Sequence, residues 1–329
     1  MTPTAHPSDA LPTLSEADAW AILGEAVTAL RPLPGATRAR VYEVTLGEGS
    51  VRIVKLLPKD TGRAAREAWV RGRMAGVGAV PMVPEVLHRA TPLSGACDVV
   101  SMRPLPGQSL ERALHDADEA RARRLWSAFG EGLAAFHAVP IAGFGLLDSA
   151  GRGPFPAWRM ALEHHAAAAL DVLRLTPLSP LADPIARRIE ALAPSLDDVR
   201  AARLTHGDAH PRNVRAAGDR LVAWFDLEYA MGADPLYELT FVAEAFCGPC
   251  APDNLPTAHL AGRYEAFAEG YTLRGEALDD AAERQALYRL LHALRAAEEL
   301  HVRGPRLSPD ARDALTAALR TRLASHLPG

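Results

Sequence analysis

The chain has 329 residues, 48% of them hydrophobic, and a net charge of −4. That length and apolar share can fill two lobes rather than one average domain. The charge balance argues against nucleic-acid binding, no window of about 18 apolar, uncharged residues is available to span a membrane, and no basic segment leads into an apolar stretch as a secretory leader would require.

Residues 1–13 hold three prolines and read as a loose tail. Ser15 with Asp18 three residues on has the form of an N-cap and predicts a helix over about 16–30. The β-branched, alternating segments 40–46 and 51–56 flank Gly47-Glu48-Gly49-Ser50 and predict a hairpin. A helix is expected over 63–74, then strands over 83–88 and 98–102. Arg103-Pro104-Leu105-Pro106-Gly107 reads as a linker. It divides a lobe of residues 1–102, made of antiparallel sheet and helix, from a mainly helical lobe of residues 103–329. Helices are expected in the latter at 109–116, 118–138, 157–174, 183–193, 235–247, 257–272, 279–301 and 308–325. They are interrupted at 203–228, where 221–225 forms a strand pairing with Val214-Arg215 across Ala217-Gly218-Asp219. The expected fold class is α+β, with the join near 103–107 opening a cleft suited to a ligand.

One segment concentrates the chemistry: His206-Gly207-Asp208-Ala209-His210-Pro211-Arg212-Asn213, followed by Phe225-Asp226-Leu227-Glu228. Phosphoryl transfer needs a carboxylate to orient a hydroxyl and take its proton, and hard oxygen ligands for a divalent metal that bridges phosphates. Asp208 and Asn213 stand five apart, the spacing of base and metal-binding asparagine in a kinase catalytic loop. Asp226 follows 13 residues after Asn213, behind a short strand, where a second metal carboxylate belongs. Upstream, Lys55 is one of only two lysines, with Lys59, and sits in an apolar strand from which it can reach phosphates. Glu67, twelve residues later on the predicted helix, can pair with it. The alternatives are a strand-end surface lysine and a solvated helix charge, with Arg63 and Arg66 as other partners for Glu67. Pro34 to Arg40 occupies the place of a phosphate-covering loop and includes Thr37 and Arg38.

These motifs resemble the aminoglycoside phosphotransferase and choline kinase superfamily, which shares the protein-kinase-like fold. LTHGDAHPRNV matches its His-Gly-Asp-x4-Asn signature, FDLEYAMGADPLYEL its metal-binding segment, and LAAFHAVP its Leu-x-x-Leu-His helix end. The similarity extends over about 35–300. It implies Asp208 as base, Asn213 and Asp226 as Mg2+ ligands, Lys55 on the phosphates of ATP (with GTP the alternative donor), Glu67 orienting Lys55, and Ser101, Met102 and Arg103 as the hinge against the adenine. It makes His206 structural. The chain departs from the pattern in its single loop glycine, in Leu227 where relatives carry Trp, and in Phe136 where they carry Leu.

The expected acceptor is a small molecule, an amine-bearing, aminoglycoside-like antibiotic. Residues 201–300 hold sixteen Asp and Glu against nine Arg, and Glu228, Asp234, Glu265 and Glu269, with His210, are candidates to face a cationic acceptor. An ordinary solvated acidic face is the competing reading, and Asp234 and Glu238 also fall where they would cap or brace the catalytic loop. The rival functions are a metabolite kinase acting on an amino alcohol, homoserine-like acid or sugar and, from another class, a nucleotide-binding pseudokinase. Cys247-Gly248-Pro249-Cys250 lacks a second ligand pair and reads as two reduced cysteines at a helix end. With Cys97 they make three, too few for a disulfide framework, so the cytoplasm is the expected location.

Overall fold

The computed structural model describes residues 11–34, 39–59, 61–75, 77, 92–247, 262–272 and 281–327. In chain order the elements are α1 (Glu16–Leu23), β1 (Val27–Leu33), β2 (Arg40–Leu46), β3 (Val51–Pro58), α2 (Arg63–Met74), β4 (Cys97–Met102), β5 (Gln108–Ser109), α3 (Leu110–His115), α4 (Glu119–His137), β6 (Pro140–Ile141), β7 (Gly145–Leu146), α5 (Trp158–Arg174), α6 (Ala182–Leu192), β8 (Ala202–Thr205), β9 (Val214–Ala217), β10 (Arg220–Trp224), β11 (Met231–Ala233), α7 (Pro235–Val242), α8 (Arg263–Thr272), α9 (Ala282–Arg303) and α10 (Pro309–Ala324). They form two compact units. One comprises Met1–Ala117, Asp148–Gly151 and His210–Ala230; the other comprises Asp118–Leu147, Arg152–Ala209 and Met231–Gly329.

The first unit is built on the antiparallel sheet β1-β2-β3-β4. Ser15 and Asp18 form the capping box that opens α1. The helix does not run on to residue 30. Gly24 takes the left-handed conformation at φ 74° and closes it, and Val27–Leu33 becomes an edge strand paired with β2. Residues alternate on β2, where Tyr42, Val44 and Leu46 turn inward. On β3, Val54, Lys55, Leu56 and Leu57 are all buried, because both faces of this strand are covered. Val54 and Leu56 pack with Ile22 and Val44 on one side, and Leu57 packs with Ala64 of α2 and Val100 on the other. Lys55 is two residues from Leu57 and shares its face. A second sheet of order β10-β9-β5 completes the unit. Its close packing requires glycine at position 107, where an added Cβ would stand 2.2 Å from the Ala216 carbonyl oxygen. The expected strand at 83–88 and loop residues Thr37 and Arg38 lie outside the described residues.

In the second unit α5, α6 and α9 enclose a core that includes Trp158, Ile185, Tyr288 and Leu294. Helices α4 and α8 approach closely enough that a Cβ on Gly130 or Gly270 would meet the backbone of Phe267 or Ser127 within about 2 Å. A small sheet of order β6-β8-β11-β7, which the sequence pattern did not reveal, carries the strand leading to Asp208. The helix expected over 235–247 ends at Val242, and residues 243–247 form a π turn. The Cys250 side of the two-cysteine segment lies outside the described residues, as does the Cys247 side chain. Cys97 is buried and free. Among the described residues, no helix is long and apolar enough to cross a membrane.

Candidate active site

In the first unit, β3 presents Lys55, which is 8% exposed. Its Nζ lies 2.5 Å from Asp226 Oδ1 and 3.2 Å from Glu228 Oε2. Burial alone would lower the lysine's pKa, but Asp226, Glu67 and Glu228 together raise it above the ordinary range. Lys55 therefore remains an ammonium in a site dominated by carboxylates. Glu67 projects from α2 and is 1% exposed, with Oε2 buried and lacking a hydrogen-bond partner. Burial pushes its carboxyl up to about 7; the attraction of Lys55 opposes this, and repulsion from Asp226 and Glu228 adds to it. Glu67 is thus no solvated helix charge, and the ion pairs of Lys55 run to Asp226 and Glu228.

The short hairpin β9–β10 sets the next pair of residues. Trp224 stands opposite Val214 in the ladder, and just beyond it the Phe225 N–H donates to the Asn213 carbonyl at 3.1 Å. Asn213 and Asp226 are therefore neighbours at the open end of the hairpin. Asp226 has φ 63°, a left-handed backbone unusual for a residue with a side chain but tolerated by Asp. An amide oxygen and a carboxylate are hard donors that suit Mg2+ and leave its other positions to phosphate and water. Among the described residues, no group of three His, Cys, Asp or Glu side chains makes a ready-built metal cage.

Glu228 is held on three sides. Arg63 Nη1 approaches its carboxylate at 3.2 Å, Arg66 Nη1 donates to its backbone carbonyl at 2.5 Å, and Lys55 closes the third side. The two arginines that sequence places beside Glu67 thus serve Glu228 instead. His210 caps the 3-10 turn Pro211–Asn213, its Nδ1 accepting from the Arg212 N–H at 3.1 Å. Ser101 stands opposite Val54 on β4, with its hydroxyl buried and without a hydrogen-bond partner. Met102 is half-buried and Arg103 exposed.

In the second unit, β8 delivers His206, Gly207 and Asp208. The fully buried Glu238 of α7 accepts from the His206 N–H at 3.0 Å and from the Gly207 N–H at 2.6 Å. Behind it, His137 Nε2 lies 3.0 Å from the same carboxylate, and His137 Nδ1 lies 2.9 Å from the Tyr271 hydroxyl. Burial alone would raise the Glu238 pKa, but the His137 hydrogen bond leads the effects that hold it below the ordinary range. Asp234 accepts from the Leu236 N–H, capping α7, and from the Tyr288 hydroxyl at 2.6 Å. It is a buried brace. Glu265 and Glu269 lie on the exposed side of α8, Glu269 paired with Arg123 at 2.6 Å. Arg295 of α9, which no local pattern singles out, donates to the Gly207 carbonyl at 3.2 Å and reaches within 3.9 Å of Asp208 Oδ1.

The model of the phosphotransferase enzyme family (APH) matches residues 29–277. The chain belongs to that family. It is a small-molecule kinase with a hydroxyl group as acceptor. No curated protein sequence matches it. Among solved structures, a thermostable mutant of aminoglycoside phosphotransferase APH(4)-Ia in ternary complex with AMP-PNP and hygromycin B superposes at TM-score 0.70 with 21% identity, covering 95% of this chain and 98% of that one. Macrolide 2'-phosphotransferase MphH from Brachybacterium faecium gives TM-score 0.60 at 20% identity, covering 92% and 96%. The GDP and kanamycin complex of APH(2")-IIia gives 0.61 at 15%, covering 94% and 98%. The phosphotransferase thus has the protein-kinase-like fold of these enzymes, as the motifs implied.

Proposed function

We propose that this phosphotransferase moves the γ-phosphoryl group of ATP, with GTP as the alternative donor, to a hydroxyl of an amine-bearing, aminoglycoside-like acceptor in the cytoplasm. Asp208 orients the hydroxyl and takes its proton. Lys55 binds the phosphates with its charge sustained by Glu67, and Ser101 and Met102 at the end of β4, with Arg103 just after it, form the hinge against the adenine. Thr37 and Arg38 belong to the phosphate-covering segment. Asn213 and Asp226 would hold Mg2+, which would supply positive charge against the phosphates. The observation that carries this reading is the 2.5 Å contact between Lys55 and Asp226, which joins two signature segments 171 residues apart.

The amine-bearing acceptor is supported by the exposed carboxylate Glu265 of α8, its neighbour Glu269 being paired with Arg123, and by the hygromycin B and kanamycin held by the similar enzymes. A metabolite kinase is the second reading. Arg295, a cation beside Asp208, favours a neutral or acidic acceptor, and Asp234 and Glu228 are already committed to buried partners. A screen of ATP and GTP consumption over hygromycin B, kanamycin, a macrolide, choline, homoserine and fructosamine decides between them, with the phosphorylated position read by mass spectrometry and NMR. Turnover with the amino-sugar antibiotics supports the first reading; turnover confined to homoserine or fructosamine replaces it with the second.

A further inference from the structure

The peptide unit that joins Gly207 to Asp208 is gripped at both ends. Its N–H donates to His206 Nδ1 at 3.3 Å, and its carbonyl accepts from Arg295 Nη1 at 3.2 Å. The other terminal nitrogen of the same guanidinium, Nη2, lies 3.9 Å from Asp208 Oδ1. One planar fork therefore spans the main chain before Asp208 and the carboxylate of Asp208 itself.

Such a grip answers a local weakness. Gly207 is left-handed at φ 79°, and without a Cβ it offers little resistance to rotation of the peptide that follows. Glu238 fixes the N–H groups of His206 and Gly207, but these precede the bond that aims Asp208. Rotation about that bond would swing the carboxylate away from a hydroxyl, and a displacement of about 1 Å is enough to cost about a hundredfold in rate. Arg295 is itself carried by the long helix α9, which is anchored in the core through Leu291 and Leu294. Its charge does not titrate at working pH.

We propose that Arg295 is the positioning residue of the reaction: it locks the 207–208 peptide and holds the Asp208 carboxylate in its productive direction. This inference rests on the reading of Asp208 as base. It also explains an arginine rather than a lysine, because an ammonium can satisfy the carbonyl or approach the carboxylate, whereas the fork does both.

The test measures MgATP turnover by phosphate release, with water in the acceptor's place, for the full-length wild type, Arg295→Met, Arg295→Lys and Asp208→Asn. Arg295→Met should lower kcat about tenfold or more, with the nucleotide KM within about twofold of wild type. Arg295→Lys should lose about threefold or more despite its charge. Added guanidinium ion should restore part of the methionine variant's rate and none of the rate of Asp208→Asn, a response that a merely structural role would not give. A kcat for Arg295→Lys within about twofold of wild type, while Asp208→Asn is inactive, overturns this inference alone, whether or not the methionine variant folds. An Asp208→Asn enzyme as fast as wild type overturns the base reading and this inference with it.

Discussion

Lys55 Nζ and Asp226 Oδ1 lie 2.5 Å apart, the ammonium on a strand buried on both faces and the carboxylate just past a hairpin far along the chain. Lys55 compensates a cluster of three acidic side chains, and under the proposed function it would exchange a carboxylate for phosphate oxygens when nucleotide binds. Replacing it with Met leaves Glu228 and Glu67 buried with less compensation, and breaking a buried pair in this way costs about 3–5 kcal/mol. Lys55→Met should therefore melt at a lower temperature by calorimetry, and its nucleotide affinity and kcat should fall together, kcat by about a hundredfold or more. Unchanged nucleotide affinity would remove Lys55 from the phosphate site.

Glu67 predicts a pH signature. Its carboxyl rises from 4.5 to about 7 on folding. Across that interval the folded chain keeps a proton that the unfolded chain has released, so this group's contribution is fully present below about 4.5 and is lost as pH rises through about 7. In Glu67→Gln the amide stands in for the protonated acid and cannot ionise. Urea unfolding at pH 5, 6, 7 and 8 should show the variant gaining stability relative to wild type as pH rises, with the difference levelling above 7. A difference that stays constant across the series would contradict the buried, poorly compensated carboxyl.

Asp226 separates chemistry from folding. Asn tolerates the left-handed backbone at φ 63° nearly as well as Asp, whereas a β-branched residue does not. Asp226→Asn should thus retain most of its thermal stability while losing turnover by about a hundredfold or more, and should need more Mg2+ for half-maximal rate. Asp226→Val should be destabilised as well, by about 1–3 kcal/mol from the backbone alone. Removing divalent metal with EDTA should stop wild-type turnover, and Mg2+ should restore it.

Glu238 is predicted to act through the main chain. In Glu238→Ala the buried N–H groups of His206 and Gly207 lose their acceptor, each at about 1–3 kcal/mol. The melting temperature should drop sharply and turnover should fall with it, while nucleotide affinity measured on the folded fraction stays near wild type. Differential scanning calorimetry and a nucleotide titration read both effects.

The parts legible in sequence are those whose signal is local. The β2–β3 hairpin, α2 and the β9–β10 hairpin announce themselves by alternation and turn residues, and Asp208, Asn213 and Asp226 stand out by spacing as candidates for the proposed site. Strand β1 was hidden because its burial recurs every third residue, Val27, Leu30 and Leu33 being the less exposed positions, so it carries no strand period; the readable clue was Gly24, a helix stop. The run 231–233 is too short to show a period, and only pairing with β8 and β7 makes it a strand. Arg63 and Arg66 turn to Glu228 across some 160 positions of chain, a choice that no local window encodes. Arg295 is one arginine among many on a helix, and its partners become visible only once β8 has placed Gly207 and Asp208. His137, by contrast, sits in a motif, and its role behind Glu238 was within reach of the pattern.

In the proposed reaction Asp208 receives the acceptor's proton. The most direct measurement pairs single-turnover phosphoryl transfer with calorimetric titration of a non-hydrolysable ATP analogue, on wild type and Asp208→Ala. Loss of transfer by several orders of magnitude, with analogue affinity largely kept, is the predicted result. Transfer by Asp208→Ala at a rate close to wild type would contradict it.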